Sequence, residues 1–356
     1  YQLTSFRILL IAVMQYALIR FVALSLQEKK IILMGLGATV LVISLASVFQ
    51  VFFRDAAVAL ARQLLFGDAA YGVVWELLRG RVPHWGNLTI TFPFFFGSLL
   101  FIWQNSLKRR LFIMAGTLLV LFAFFVSNFR WITLCFILGT GCMFLLLLKF
   151  RYIKATHFVS EATILLIAVM GGLYFASTAF HYNLIDRFLI RNFDRDVTNS
   201  IGRLYLYQQA IDVFFVSPVV GVGMGNYSNL VEPIIGPDYK SGIGSIYSEI
   251  DKQPVSSHNE LVTILAEGGL GSFVLFIWIN TLVFGRILRR VFISSTERSE
   301  ERLMFIVFFV SLLSYYLYGL FENTAPNNFI VIFFIYAASL TWLKSEFVMP
   351  HFQTRK

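Results

Sequence analysis

Apolar stretches of about 18–24 residues recur along this chain, separated by short polar connections. A helix needs about 20 apolar residues to cross ~30 Å of hydrocarbon, and helices satisfy their own backbone hydrogen bonds there. The pattern predicts crossings near 5–26, 31–53, 88–107, 111–128, 130–148, 161–180, 266–285, 303–321 and 327–343. The expected fold is an all-α polytopic membrane protein with about nine transmembrane helices. Two longer polar stretches interrupt the series. Residues 54–87 have helical apolar spacing over Ala56–Leu65 and Tyr71–Leu78, the pattern of a segment lying along the interface. Residues 181–265 are long and polar enough to form a helical cap outside the membrane. The domain reading is membrane helices with the interfacial segment over 1–180, the cap over 181–265, C-terminal membrane helices over 266–345 and a tail over 346–356.

Composition agrees with that class. Of 356 residues 58% are hydrophobic and 14% charged, with 39 Phe and a mean hydropathy of +0.73, more apolar surface than a soluble core needs. The net charge of +9 does not point to nucleic acid, because the basic residues fall in clusters between apolar spans. Lys29 and Lys30, Lys108 to Arg110, Lys149 to Lys154, Arg286 to Arg290 and the tail all fall on one side if the spans alternate. The positive-inside rule makes that side cytoplasmic and puts 54–87 and 181–265 outside. Arg54, Arg62, Arg79 and Arg81 are outside on this reading; they either snorkel to headgroups or hold an anionic substrate. A start at Tyr1, directly before an apolar run, is what a piece of a longer protein would show. Cys135 and Cys142 lie in one apolar segment and offer neither a disulfide framework nor metal spacing.

Candidate chemistry gathers on the outer face. Of five histidines, His258 has the most suggestive setting: Ser256-Ser257-His258-Asn259-Glu260-Leu261, where the cap enters a membrane helix. It is either a hydrogen-bonded structural residue or, beside the positive end of a helix dipole that favours a neutral imidazole, a general base. Arg130, in Ser127-Asn128-Phe129-Arg130-Trp131, lies at the outer end of a span and either snorkels or offers a planar donor fork to phosphate. Asn199 or Ser200 is a candidate N-cap for a helix ending before Pro218, which would put Arg203 in the first turn beside anion-attracting amides. Arg187, Arg191 and Arg195 form either a solvated face or an extension of this cationic surface. Gly221-Val222-Gly223-Met224-Gly225-Asn226 lacks the strand and the Lys-Ser/Thr of a nucleotide loop, and reads as a tight turn folding the cap back on the membrane face. A transporter would carry ionisable residues mid-membrane, whereas here only Arg20, Gln15 and Gln104 interrupt the spans and charge gathers on one face.

The run Ile201-Gly202-Arg203 through Ser217-Pro218-Val219-Val220-Gly221-Val222-Gly223, then His258-Asn259-Glu260-Leu261 and Glu267-Gly268-Gly269-Leu270-Gly271, resembles the O-antigen ligase-related family. Ser127-Asn128-Phe129-Arg130 is similar to its Ser/Thr-x-x-Arg element, although Asn128, Phe129 and Trp131 replace the usual small residues. The resemblance covers about residues 88–345. It implies a GT-C-like glycosyltransferase of the bacterial inner membrane, inverting and metal-independent, with its active site facing the periplasm and no cofactor. The implied donor is a glycan on undecaprenyl diphosphate. The implied acceptor is another glycan, for a polymerase, or lipid A core, for a ligase. The polymerase is the leading expectation, because the long 226–257 insert could form a second glycan-binding surface. A lipid-linked glycan flippase is the alternative without covalent chemistry. By resemblance His258 is catalytic, Arg130 and Arg203 bind the diphosphate, and Arg187, Arg191, Asn259 and Glu260 are candidate substrate contacts. Membrane lipids and a chain-length regulator are implied partners.

Overall fold

The computed structural model describes residues 25–64, 85–102, 107–126, 130–153, 193–227, 257–293, 299–320 and 327–341, together with 13, 14, 17, 171, 174 and 230. The expected crossings at 5–26 and 161–180 fall almost wholly outside the described residues, as do Arg187, Arg191 and most of the 226–257 insert. Every regular element among the described residues is a helix. In chain order these are α1 (Leu26–Phe52), α2 (Arg54–Leu64), α3 (Trp85–Ile102), α4 (Leu107–Val126), α5 (Arg130–Lys149), α6 (Phe193–Val216), α7 (Glu260–Phe292), α8 (Ser299–Gly319) and α9 (Asn327–Thr341). Three contain apolar stretches long enough to cross a membrane: Leu26–Gln50, Glu260–Phe292 and Glu300–Gly319. Shorter apolar stretches lie at Ile90–Leu99, Ala115–Phe124 and Leu134–Lys149.

Local sequence explains where these helices start and how they face. A capping box opens α1: Ser25 Oγ accepts from the Glu28 N–H at 3.3 Å, and Glu28 Oε2 accepts from the Ser25 N–H at 2.7 Å. The first part of the 54–87 segment is helical, as its spacing predicts: α2 has Ala57 and Val58 buried and Arg62 and Gln63 exposed, while Tyr71–Leu78 lies outside the described residues.

The core forms around α3 and α8. Phe92, Phe94, Phe95, Phe124 and Phe308 are buried, and the Phe124 and Phe136 rings stack with centroids 3.8 Å apart. Between membrane helices, close backbone approach substitutes for a hydrophobic drive, so small residues mark the contacts. A Cβ on Gly97 would lie 2.4 Å from Val307 Cγ2, and one on Gly139 would lie 2.5 Å from Ser314 Oγ. Ser98 Oγ donates to the Leu33 carbonyl at 2.9 Å, tying α3 to α1.

The helix ends sort into two groups. Lys30 pairs with Glu300 at 2.6 Å, Lys149 lies over the Phe292 ring at 4.6 Å and Arg302 over the Phe150 ring at 5.1 Å. The start of α1, the end of α5, the end of α7 and the start of α8 therefore meet at one cation-rich end, as alternating spans require. α8, at 21 residues, runs ~30 Å from there to Leu320 at the opposite end. Arg130 opens α5 at that opposite end, since α5 passes Ser314 of α8 at Gly139.

α7 departs from the expected 266–285 crossing. It starts at Glu260 and ends at Phe292, 33 residues or ~50 Å if straight, which exceeds one bilayer core. Gly269, at φ 65° and ψ −175°, breaks it into two limbs. Glu260 and Phe276, ~24 Å apart on a straight helix, line one cavity of about 110 Å³, so the limb Glu260–Gly268 folds over the end of α8. Leu270–Phe292, ~34 Å long, is the limb that matches a bilayer core in length.

Candidate active site

α6 and the first limb of α7 pack side by side at the end opposite the cation cluster. Ala210, Val213, Tyr227 and Ala266 form a small buried core there, joined by Phe214, Val222 and Val262. Below it, the turn after α6 pairs with the break in α7 through main-chain bonds. Val222 N–H donates to the Ala266 carbonyl at 3.1 Å and Gly223 N–H to the Glu267 carbonyl at 2.9 Å. In return, Leu270 N–H donates to the Pro218 carbonyl at 2.8 Å and Gly271 N–H to the Val219 carbonyl at 3.3 Å. The break leaves α7 amides and carbonyls without helical partners, and the turn supplies them. Gly221, Gly223 and Gly225 all have positive φ, and the main-chain bonds make this glycine run a tight turn docked on α7.

The Glu267 carboxylate accepts from the N–H groups of Gly225 and Tyr227, the latter at 3.2 Å, and so holds the far side of the turn. Tyr227 is buried and its hydroxyl donates to the Leu206 carbonyl at 3.4 Å; burial, then the neighbouring Glu267 charge, push its phenol well above the usual range.

His258 immediately precedes the N-cap of α7 and has φ 53°. A non-glycine residue with positive φ is uncommon and persists only where its surroundings fix it. The fixing groups flank it. Asn259 N–H donates to Ser257 Oγ at 3.2 Å, and Ser257 Oγ lies 2.5 Å from Thr263 Oγ1. Thr263 Oγ1 donates to the Asn259 carbonyl at 3.0 Å. Ser257 is fully buried, while His258 is half-buried beside it.

Asn259, expected as a substrate contact, has structural work. Its Oδ1 accepts from the Val262 N–H at 3.1 Å, capping α7, and its Nδ2 donates to the Leu320 carbonyl at 3.2 Å. Glu260 is buried in the first turn of α7 and lines the cavity with Leu261, Phe276, Tyr315, Tyr316 and Leu320. An acidic group in that turn is also favoured by the helix dipole.

Arg203 requires a correction. The expected cap at Asn199 or Ser200 is absent: α6 is continuous from Phe193, making Arg203 its eleventh residue, and ends at Val216 ahead of Pro218. No Pro interrupts Phe193–Asn199, so the helix passes through the polar residues that resembled a cap. Arg203 therefore has no free helix-start amides beside it. Its link to the site is different. Tyr207 lies one turn on, on the same face, and its hydroxyl donates to the carbonyls of His258 at 3.5 Å and Leu320 at 3.4 Å. Arg203, half-buried, lies one turn before the residue that reaches the His258 turn, with the backbone of Arg130 at the same end of the bundle.

Reasoning from sequence missed Tyr207, Ser257, Thr263 and the clamp of Glu267 on the glycine turn. Tyr207 had a signal, its four-residue spacing from Arg203. It also missed a polar cluster between membrane helices, where the Tyr316 and Tyr336 hydroxyls both donate to Asn280 Oδ1 and Asn280 Nδ2 donates to the Phe276 carbonyl at 2.6 Å. Among the described residues no three His, Cys, Asp or Glu side chains gather as a metal site.

Apolar helices around a phenylalanine core, with a histidine turn and an arginine helix joined at one end, define a helical membrane-embedded protein carrying a polar site at its edge. Residues 115–279 match the family model described as O-antigen ligase, a stretch that includes Arg130, Arg187, Arg191, Arg203 and His258. That stretch is similar to the O-antigen ligase family, in agreement with the resemblance of its motifs. No curated protein and no solved structure matches it.

Proposed function

We propose that the protein is an inverting, metal-independent glycosyltransferase that joins glycan repeat units carried on undecaprenyl diphosphate at the periplasmic face of the bacterial inner membrane. The observation that carries this reading is the junction of the Arg203 helix with the His258 turn, inside the stretch that matches the O-antigen ligase family.

The chemistry needs few parts. The acceptor hydroxyl oxygen attacks the anomeric carbon of the donor from the face opposite the diphosphate. The bond from that carbon to the phosphate oxygen breaks, and its electron pair leaves with the diphosphate. His258 accepts the hydroxyl proton, a step worth roughly 10²–10⁴-fold from a positioned base. Arg203 and Arg130 neutralise charge on the departing diphosphate, the electrostatic contribution that is usually largest in such reactions. In this reading Arg187 and Arg191, which lie outside the described residues, contribute positive charge to binding the same ligand. Asn259 caps the turn and Glu260 lines the cavity beside it, and both are kept as substrate contacts in this reading. A lipid diphosphate is a good leaving group, so these side chains suffice without a cofactor.

A second reading shares the chemistry and changes the acceptor to lipid A core, as in a ligase; the matching family is compatible with either acceptor. The favoured polymerase reading rests on the 226–257 insert. Glycan analysis of a strain lacking the protein separates the two. Glycan of a single repeat supports the polymerase, full-length glycan retained on its carrier supports the ligase, and unchanged glycan on both lipids contradicts transfer altogether.

A further inference from the structure

The turn after α6 presents an outward apolar tip that the transfer chemistry does not use. Phe215, Val216, Val219, Val220 and Met224 are each more than half exposed, Val220 the most at 74%. Their inward neighbours Val213, Val222 and Tyr227 pack on α7, so the tip has one face built into the protein and one apolar face turned away from it. Clustered exposed apolar side chains of this kind mark an interaction surface.

Its position and chemistry identify the partner. The main-chain bonds from Leu270 to Pro218 and from Gly271 to Val219 fix the tip beside the first turn of the crossing limb Leu270–Phe292. That limb is ~34 Å long against a hydrocarbon core of ~30 Å, so Leu270 lies at the core edge. Leu270, Val274 and Trp278 are themselves more than half exposed, giving an exposed apolar stripe continuous with the tip. From Val213 to Val231 the chain carries no charged residue. A protein-binding surface is rimmed by polar and charged groups, whereas a segment entering lipid excludes charge because of its desolvation cost.

We propose that the Phe215–Met224 tip is a membrane anchor, inserted into the bilayer at the hydrocarbon edge beside Leu270, and that it holds the Arg203–His258 site at headgroup height. Because the turn is bonded to the break in α7, the anchor fixes α6 and the His258 turn together relative to the lipid surface.

The test reads depth and not activity, so it is independent of the proposed transfer reaction. The full chain with Cys135→Ser and Cys142→Ser is labelled with a nitroxide at Val220→Cys, Val274→Cys or Gln208→Cys and reconstituted in phosphatidylcholine–phosphatidylglycerol bilayers. Power saturation compares access of oxygen with access of a water-soluble nickel chelate. The expected result is that position 220 resembles 274, with oxygen favoured, while exposed Gln208 favours nickel. Nickel access at 220 equal to that at 208 would overturn the anchor, as would exclusion of both reagents, which would mean that a protein surface covers the tip. If the cysteine-free background fails to fold, a benzophenone amino acid replaces Val220 in the otherwise unaltered chain. Photolysis in vesicles of radiolabelled phosphatidylcholine is then expected to couple lipid to the protein, and failure to couple overturns the proposal.

Discussion

Replacing Gly269 by alanine tests the junction on which the site is built. Its backbone lies in a region open essentially to glycine alone, where another residue costs about 1–3 kcal/mol. The added Cβ would lie 2.5 Å from both Gly221 N and the Val219 carbonyl oxygen. These are backbone atoms, and the turn cannot retreat without opening the bonds from Leu270 to Pro218 and from Gly271 to Val219. Each bond contributes about 0.5–1.5 kcal/mol net, so with the strain the total destabilisation is about 2–6 kcal/mol. Two glycines calibrate the measurement. Gly225 also has positive φ, 76°, but open space around its Cβ position, so Gly225→Ala carries only the left-handed cost of about 1–2 kcal/mol. Gly285 lies inside α7 with open space, and Gly285→Ala gains about 0.5–1 kcal/mol of helix propensity. Thermal unfolding in detergent should rank Gly285→Ala at or above the unaltered protein, then Gly225→Ala, then Gly269→Ala well below. Unfolding of Gly269→Ala at the temperature of the unaltered protein would refute the bonded junction.

Three further outcomes follow from named contacts. Arg203→Lys should lose transfer by at least ~10-fold, since a point charge does not reproduce a planar donor fork; near-normal kcat/KM would demote Arg203 to a structural role. Asn259→Ala should lose about 1 kcal/mol from the α7 cap plus the bond to Leu320, and Asn259→Ser should restore the cap alone, so unfolding temperatures should order Asn259, Ser, Ala. Tyr207→Phe removes two long hydrogen bonds to the carbonyls of His258 and Leu320, and should lower kcat less than about 10-fold with KM unchanged; a large rise in KM would place the hydroxyl on substrate instead.

How much of this was legible in the sequence differs by element. Long apolar helices bounded by polar breaks, such as α1 and α8, were readable because apolar length is set by bilayer thickness. The start of α7 was legible in the His258-Asn259-Glu260 run, but its break at Gly269 was not, because it rests on the packing of Glu260–Gly268 against Ala210 and Val213 and on the docked glycine turn. The start of α6 was misread because Asn199 and Ser200 resemble a cap yet lie within a longer helix. Local motifs identified His258 and the glycine turn, both short-range features. The pairing of Tyr207 with the His258 carbonyl, 51 residues apart, has no sequence period to betray it. Nor does the clamp of Glu267 on the Tyr227 amide.

The claim that the Ser257–Asn259 turn presents a general base is tested most directly by single-turnover transfer from a lipid-linked glycan donor, with donor affinity measured separately. His258→Ala should bind donor as tightly as the unaltered protein while its transfer rate falls by ~10²-fold or more. Transfer at the unaltered rate would contradict the account.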